Sequence, residues 1–319
     1  MLFIKINNEV GKVSDCAWRY QYGKFAELTL VVLWNTLMKS FLSAILSILT
    51  LLLSASLFNT VNASSDPESR FTEEQIRSGK LYMKSENQMQ DVDHLLVNAK
   101  QQGKLAIIAM GANWCHDSQS FATKIHHPEV KAVIEENFEL LFVDVGYLTN
   151  IKQVITRFGQ PVIYATPTIL VIDPTTNVQV NKNNMHLWRD SAKVSVDEMT
   201  EYFSNIVANK HTLLETIARQ QAENVGSLAM LNQQIDLFQQ QQADRLYQAF
   251  TVLGPMLEKD EKGKSVKNFR KYWRKVAKYR YKFTEDLKTL REKAVTIAQS
   301  DESQVSMEFP KYPAFEWEK

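Results

Sequence analysis

An α/β fold with a central mixed sheet flanked by helices, followed by an all-helical region, is predicted by three features of this 319-residue sequence. Three short apolar runs rich in β-branched residues read as buried strands. The segments around them carry apolar residues at three- and four-residue spacing, the signature of one-sided helices. Beyond Asn209 the strand signal nearly stops, while helical spacing continues to about Ser300.

Taken in order, residues 64–89 are polar and read as a tether. Asp91–Gln102 has helical spacing through Val92, Leu95, Leu96 and Ala99, and Gly103 suits its C-terminal cap. The run Leu105–Met110 predicts the first strand, and Gly111-Ala112-Asn113-Trp114-Cys115 turns out of it. Ser118–Ile125 predicts a helix broken at His126-His127-Pro128, with Pro128 placed for the first turn of a second helix over Glu129–Asn137. Leu140–Val145 predicts the next strand and Asn150–Phe158 a helix stopped by Gly159. Thr168–Ile172 and Val178–Val180 predict two further strands, and Val196–Val207 an amphipathic helix capped by Ser195. The order β-α-β-α-β-β-α assigns residues 90–208 to one α/β domain. Residues 209–303 then form a helical domain of about three helices, and 304–319 an aromatic tail.

The N-terminal part behaves differently. Met38-Lys39 precedes an apolar run from Phe41 to Leu53, uncharged until Asp66, with a small-residue exit at Val61-Asn62-Ala63. Residues 38–63 therefore read as a secretory signal peptide cleaved after Ala63, with an uncleaved membrane anchor as the rival. Residues 1–37 are read as an upstream gene-model extension. Either way the bulk of the chain is expected to be exported, free or anchored, which for a bacterial protein means facing the periplasm. The whole chain carries a net charge of +1, so no global field points to nucleic acid or an acidic substrate. The part after Ala63 keeps a single cysteine, Cys115, which excludes an internal disulfide there.

Trp114-Cys115-His116-Asp117-Ser118, between a strand and a helix, is the informative constellation. A cysteine at a helix N-terminus faces unsatisfied N–H groups and the positive dipole end, which favour thiolate over thiol. A protonated His116 adds to this effect and Asp117 opposes it. No cofactor is expected. Cys115, His116, His126 and His127 are the soft-ligand residues, yet their spacing does not suit a zinc site, and no metal is expected.

This stretch resembles the thioredoxin superfamily, specifically bacterial exported members with a Trp-Cys-His-Asp-Ser active site, over roughly residues 90–208. The resemblance implies that Cys115 is the attacking thiol and that Thr166-Pro167 is the loop before the third strand, with a cis bond. It further implies that Trp114, Thr166 and Pro167 meet an extended substrate. Two positions depart from the pattern. Ser118 replaces the resolving cysteine, leaving Cys-x-x-Ser, and the family's buried strand acid falls at Ala109. Dithiol activity is thus unexpected. Monothiol exchange through Cys115 with an external resolving thiol is the leading expectation, with Ser118 donating to the thiolate and His116 modulating it. The partners are then exported protein or small-molecule thiols and disulfides. The alternative is a non-catalytic binding or scaffold module whose helical domain selects a protein partner.

In the helical domain, residues 262–293 hold thirteen Lys/Arg against three acids. Aromatics interleave with them at Phe269, Tyr272, Trp273, Tyr279, Tyr281 and Phe283. Stacking on single-stranded nucleic acid is one reading of such a pattern, but export argues against it and no nucleic-acid partner is expected. The favoured reading is an apolar seam beneath a solvated basic face, with contact to an anionic membrane or acidic partner as the rival. The Phe309–Trp317 tail is too aromatic for an inert linker and is expected to lie in a groove of the protein.

Overall fold

Four strands, β1 (Leu105–Gly111), β2 (Phe138–Asp144), β3 (Thr168–Asp173) and β4 (Val178–Gln179), form one sheet in the order β2-β1-β3-β4. The computed structural model describes residues 71–300 and 306–318, apart from position 183. The segments read as an extension, a signal peptide or an anchor lie outside the described residues. β2 runs parallel to β1, whereas β3 runs antiparallel to β1 and β4 antiparallel to β3. The sheet is therefore mixed. A parallel neighbour needs a long crossover, supplied here by α3 (His116–Ile125) and α4 (Pro128–Asn137) between β1 and β2. β3 and β4 need only a turn. In it the Asp173 carboxylate accepts from the Thr176 amide at 3.1 Å and hydroxyl at 2.6 Å, and Asn177 takes a φ of 58°.

Both faces of the sheet are covered, which explains why β1 is buried at every residue. Leu105, Ile107 and Ala109 point to a layer with Phe121, Trp188 and Phe203, carried by α3, the 3₁₀ turn Met185–Asp190 and α6 (Val196–Ala208). Ala106, Ile108 and Met110 point the other way. They join Val92 and Leu96 of α2 (Gln88–Gln101), Val154 of α5 (Lys152–Arg157) and the buried side chains of the helical region in one core. The expected N-cap of α6 is present as a reciprocal capping box between Ser195 and Glu198.

The segment expected as a polar tether is corrected from residue 71 onward. Glu73–Ser78 is a short helix, α1, with a Thr72–Gln75 capping box, and Gly79 closes it at a φ of 64°. Leu81 and Tyr82 then enter the core, at 0% and 2% exposure. Phe71 and Ile76 pack against the same core, and Asn113 satisfies the Tyr82 backbone. The Tyr82 amide donates to Asn113 Oδ1 at 3.1 Å, and Asn113 Nδ2 donates to the Tyr82 carbonyl at 2.9 Å.

Past residue 208 come three helices, α7 (Lys210–Glu223), α8 (Gly226–Glu261) and α9 (Phe269–Ser300). The last two lie antiparallel. Phe238 meets Phe283 at 5.9 Å between centroids, while Asn232, nearer the start of α8, takes a 2.8 Å bond from Arg291, nearer the end of α9. Their seam is the periodic apolar face, with Val276, Tyr279, Phe283, Leu290 and Ala294 buried on α9. Most of the aromatics among the basic residues are thus core or partly buried packing groups. Among the described residues no helix is long and apolar enough to cross a membrane.

The tail closes over this pair. Phe309 packs on Phe238 at 4.7 Å, and Phe315 is buried between the Trp317 and Tyr279 rings. Arg245 of α8 binds the Glu318 carboxylate in bidentate fashion at 2.7 and 2.8 Å. Glu316 pairs with Lys275 and with Lys271, the latter at 3.1 Å. Hydrogen bonding to Lys275 is the main influence lowering the Glu316 carboxyl from its ordinary 4.5 to about 2. A carboxyl held below its unfolded value adds stability above that value and loses it as pH falls through the folded one. Glu316→Gln is therefore expected to lower stability at neutral pH. Its difference from the unsubstituted protein in urea titrations should shrink between pH 4.5 and about pH 2. A difference independent of pH would show that this ion cluster does not hold the tail.

Candidate functional site

β1 ends at Gly111 and the chain turns once before α3, so Cys115 arrives as the N-cap residue of that helix. It is extended, with φ −93° and ψ 118°, and makes no side-chain cap bond. Its sulfur is directed elsewhere. The thiol donates to the Thr166 carbonyl at 3.2 Å, and the Thr166 hydroxyl donates to the sulfur at 3.3 Å. The two contacts serve different forms of the group. The carbonyl can accept only from S–H, whereas the hydroxyl bond persists on a thiolate, beside the unpaired N–H groups at the start of α3. Cys115 is a free cysteine of intermediate exposure.

The structure brings the two sequence motifs together across 51 residues of chain. The Thr166–Pro167 peptide is cis, Thr166 is 9% exposed and Pro167 is buried. Trp114 is half-buried, donates from Nε1 to the Gly146 carbonyl at 2.8 Å and meets Trp273 of α9 edge-on at 5.8 Å. His116 is exposed. Asp117 is tied down, its carboxylate accepting from the Ala192 amide at 3.0 Å.

Ser118 does not behave as expected. It is fully buried and its hydroxyl has no hydrogen-bond partner, so it does not donate to Cys115. The hydroxyl sits under the end of β1, where a Cβ on Gly111 would come within 2.6 Å of both Ser118 Oγ and the Tyr82 ring. The absent side chain at Gly111 is what gives Ser118 and Tyr82 room.

Three residues around the Cys115 turn lie outside the site expected from the sequence. Tyr82 donates to the Ser118 carbonyl at 3.3 Å. Burial, and then the negative charge of Cys115, raise its hydroxyl well above the ordinary tyrosine value. Its sequence signal was weak, an apolar Leu81-Tyr82 pair within a polar stretch. Trp273 and Arg280 come from α9. Arg280 is 7% exposed, with its guanidinium 5.9 Å from the Trp273 ring and 5.9 Å from the Phe250 ring. Burial lowers it from the ordinary arginine value, opposed by the ionised forms of Tyr281 and Cys115. Its spacing was informative: it follows Val276 by four residues and precedes Phe283 by three, so it shares the buried face rather than the solvated one.

The helical region thus packs beside the thiol. Gly254 of α8 approaches so closely that a Cβ there would lie 2.4 Å from the Tyr147 carbonyl, next to the Gly146 that receives Trp114. Gln239 donates to the Tyr164 hydroxyl at 2.7 Å and Tyr247 to the Pro161 carbonyl at 2.9 Å, both just ahead of Thr166. Among the described residues no group of three or more His, Cys, Asp or Glu is arranged to hold a metal ion.

Residues 87–174 match a protein-family model described as Thioredoxin-like, a span that includes β1 to β3, Cys115 and Thr166-Pro167. A solved structure of a disulphide isomerase from Xylella fastidiosa Temecula1 is similar at 21% identity. The match covers 40% of this chain and 97% of that one, with a TM-score of 0.36. No curated protein matches the chain.

Proposed function

We propose that this thioredoxin-like domain, with the helical region packed against it, performs monothiol thiol–disulfide exchange through Cys115. The reading rests on one observation: Cys115, at the N-terminus of α3, is of intermediate exposure and its sulfur receives the Thr166 hydroxyl at 3.3 Å. The chemistry balances with one thiol. A Cys115 thiolate attacks one sulfur of a disulfide R–S–S–R′, forming Cys115–S–S–R and expelling R′S⁻, which takes a proton from solvent. An external thiolate R″S⁻ then attacks the mixed disulfide, restoring Cys115 and releasing R–S–S–R″. Ser118 has no sulfur with which to perform that second step. Export, read from Met38–Ala63, belongs to this proposal because an oxidising compartment supplies disulfides.

A second reading, a binding module in which Cys115 is incidental, is favoured by the burial of Pro167 and the docking of α9 on Trp114. Reactivity separates the two. Full-length protein is treated at neutral pH with a neutral aromatic disulfide such as 4,4′-dithiodipyridine, and the adduct is located by peptide mapping. Exchange predicts an adduct on Cys115, formed faster than on free cysteine, removed by added thiol and missing in Cys115→Ser. Reaction no faster than that of free cysteine would support the binding module.

A further inference from the structure

Arg280 is a buried cation without a carboxylate. It is 7% exposed, and Nε and Nη1 are both buried without a hydrogen-bond partner. Its neighbours are the Trp273 and Phe250 rings, which offer their π faces but no acceptor atom. Of the groups whose ionised form attracts it, Tyr281 and Cys115, the tyrosine is neutral at neutral pH and offers no counter-charge there. A guanidinium held like this is strongly disfavoured unless an anion offsets its lost hydration. Trp273 links it to the reactive turn, because the same ring packs edge-on against Trp114, the residue before Cys115. The cation is thus one ring removed from the turn that carries Cys115.

We propose that Arg280 binds the carboxylate of a small, carboxylate-bearing disulfide or thiol while its sulfur reacts at Cys115. This rests on the exchange reading above and names its substrate class. Charge and size both support it. The unpaired N–H groups match a carboxylate, which accepts charge-assisted bonds from arginine. An extended polypeptide, by contrast, would need the backbone at Thr166-Pro167, and there Pro167 is buried. The helical region, in placing Trp273 and Arg280 at this edge, gives the site its selectivity. The covalent step is unchanged: Cys115–S–S–R forms and R′S⁻ leaves, with Arg280 taking no part in bond making or proton transfer.

The test uses the full chain with Cys16→Ser, so that Cys115 is the reporting thiol. Second-order rates are measured with dianionic 5,5′-dithiobis(2-nitrobenzoate) and neutral 4,4′-dithiodipyridine, each divided by the rate for free cysteine. The normalised anionic-to-neutral ratio should exceed one and fall about tenfold in Arg280→Gln, the worth of a charge-assisted hydrogen bond. The neutral rate should change little, and Arg280→Lys should retain part of the preference. Lys278→Gln, on the exposed basic surface of α9, should leave the ratio unchanged. A ratio near one, or one lowered equally by Lys278→Gln, would overturn the proposal while leaving exchange intact. A Cys115 that exchanges with neither disulfide would instead remove the exchange reading. A wild-type measurement decides about Arg280 even then, and also if its variants fail to fold. S-methylglutathione, which carries carboxylates but no thiol, should slow alkylation of Cys115 by neutral iodoacetamide, and absence of protection counts against the site.

Discussion

Ser118→Cys is expected to turn adduct release from an intermolecular reaction into an intramolecular one. Residues three apart at a helix start share a face, and their Cα separation lies within the range a disulfide spans. In the natural sequence an adduct on Cys115 waits for an external thiol, so its lifetime should shorten in proportion to that thiol's concentration. With a second sulfur three residues on, the attacking group is permanently present. Oriented intramolecular groups act at effective concentrations far above any added reagent. Release should then be independent of external thiol and faster than release by ~1 mM thiol by at least about 100-fold. The site is cramped, because Ser118 is wholly buried against Tyr82 beneath Gly111. A stability loss of about 1 kcal/mol from overpacking should accompany the gain. The measurement is the decay of a defined mixed disulfide by mass spectrometry across thiol concentrations. Decay that still scales with external thiol would mean that the residue-118 side chain cannot reach the adduct.

Phe283→Ala should produce the largest loss of stability, about 3–5 kcal/mol. The ring is fully buried and stands at the junction of three parts of the molecule. It lies 5.7 Å from Tyr164, just ahead of Thr166, 5.9 Å from Phe238 of α8 and 6.0 Å from Tyr312 of the tail. Truncation opens a cavity bounded by all three, and rigid neighbouring helices cannot collapse into it. The thermal midpoint should fall by about 10 °C. Limited proteolysis should cut α8, α9 and the tail before the sheet. A loss below about 1 kcal/mol would show that the helices dock on the sheet through other contacts.

Much of the α/β part was legible because its signals are local. β1 shows itself as six consecutive apolar residues, since a strand covered on both faces has no polar side to display. Ser195 and Pro128 announce helix starts through their own chemistry, and Gly159, at a φ of 72°, ends α5 because glycine tolerates that conformation. Cys115 was legible as a candidate for the same reason: a strand, a turn and a helix N-terminus lie within a dozen residues of one another. Element limits were less exact. The helix expected over Asn150–Phe158 occupies only Lys152–Arg157, where its N-cap Ile151 supplies no side-chain acceptor.

The sequence alone thus determined the order of strands and helices from α2 onward, the apolar seam of the last helix and the identity of the candidate thiol, because each depends on neighbours within a turn or two. Only the tertiary structure decided what surrounds that thiol. Tyr82 reaches it from a stretch that looked like a tether. Ser118 lies buried by Gly111 without bonding to the thiol, and Thr166 donates to its sulfur across 51 residues of chain. Arg280 approaches from a helix more than 160 positions downstream. The physical reason is that hydrogen bonds, burial and charge act through space, so a site assembled from distant segments leaves only faint marks on any one of them.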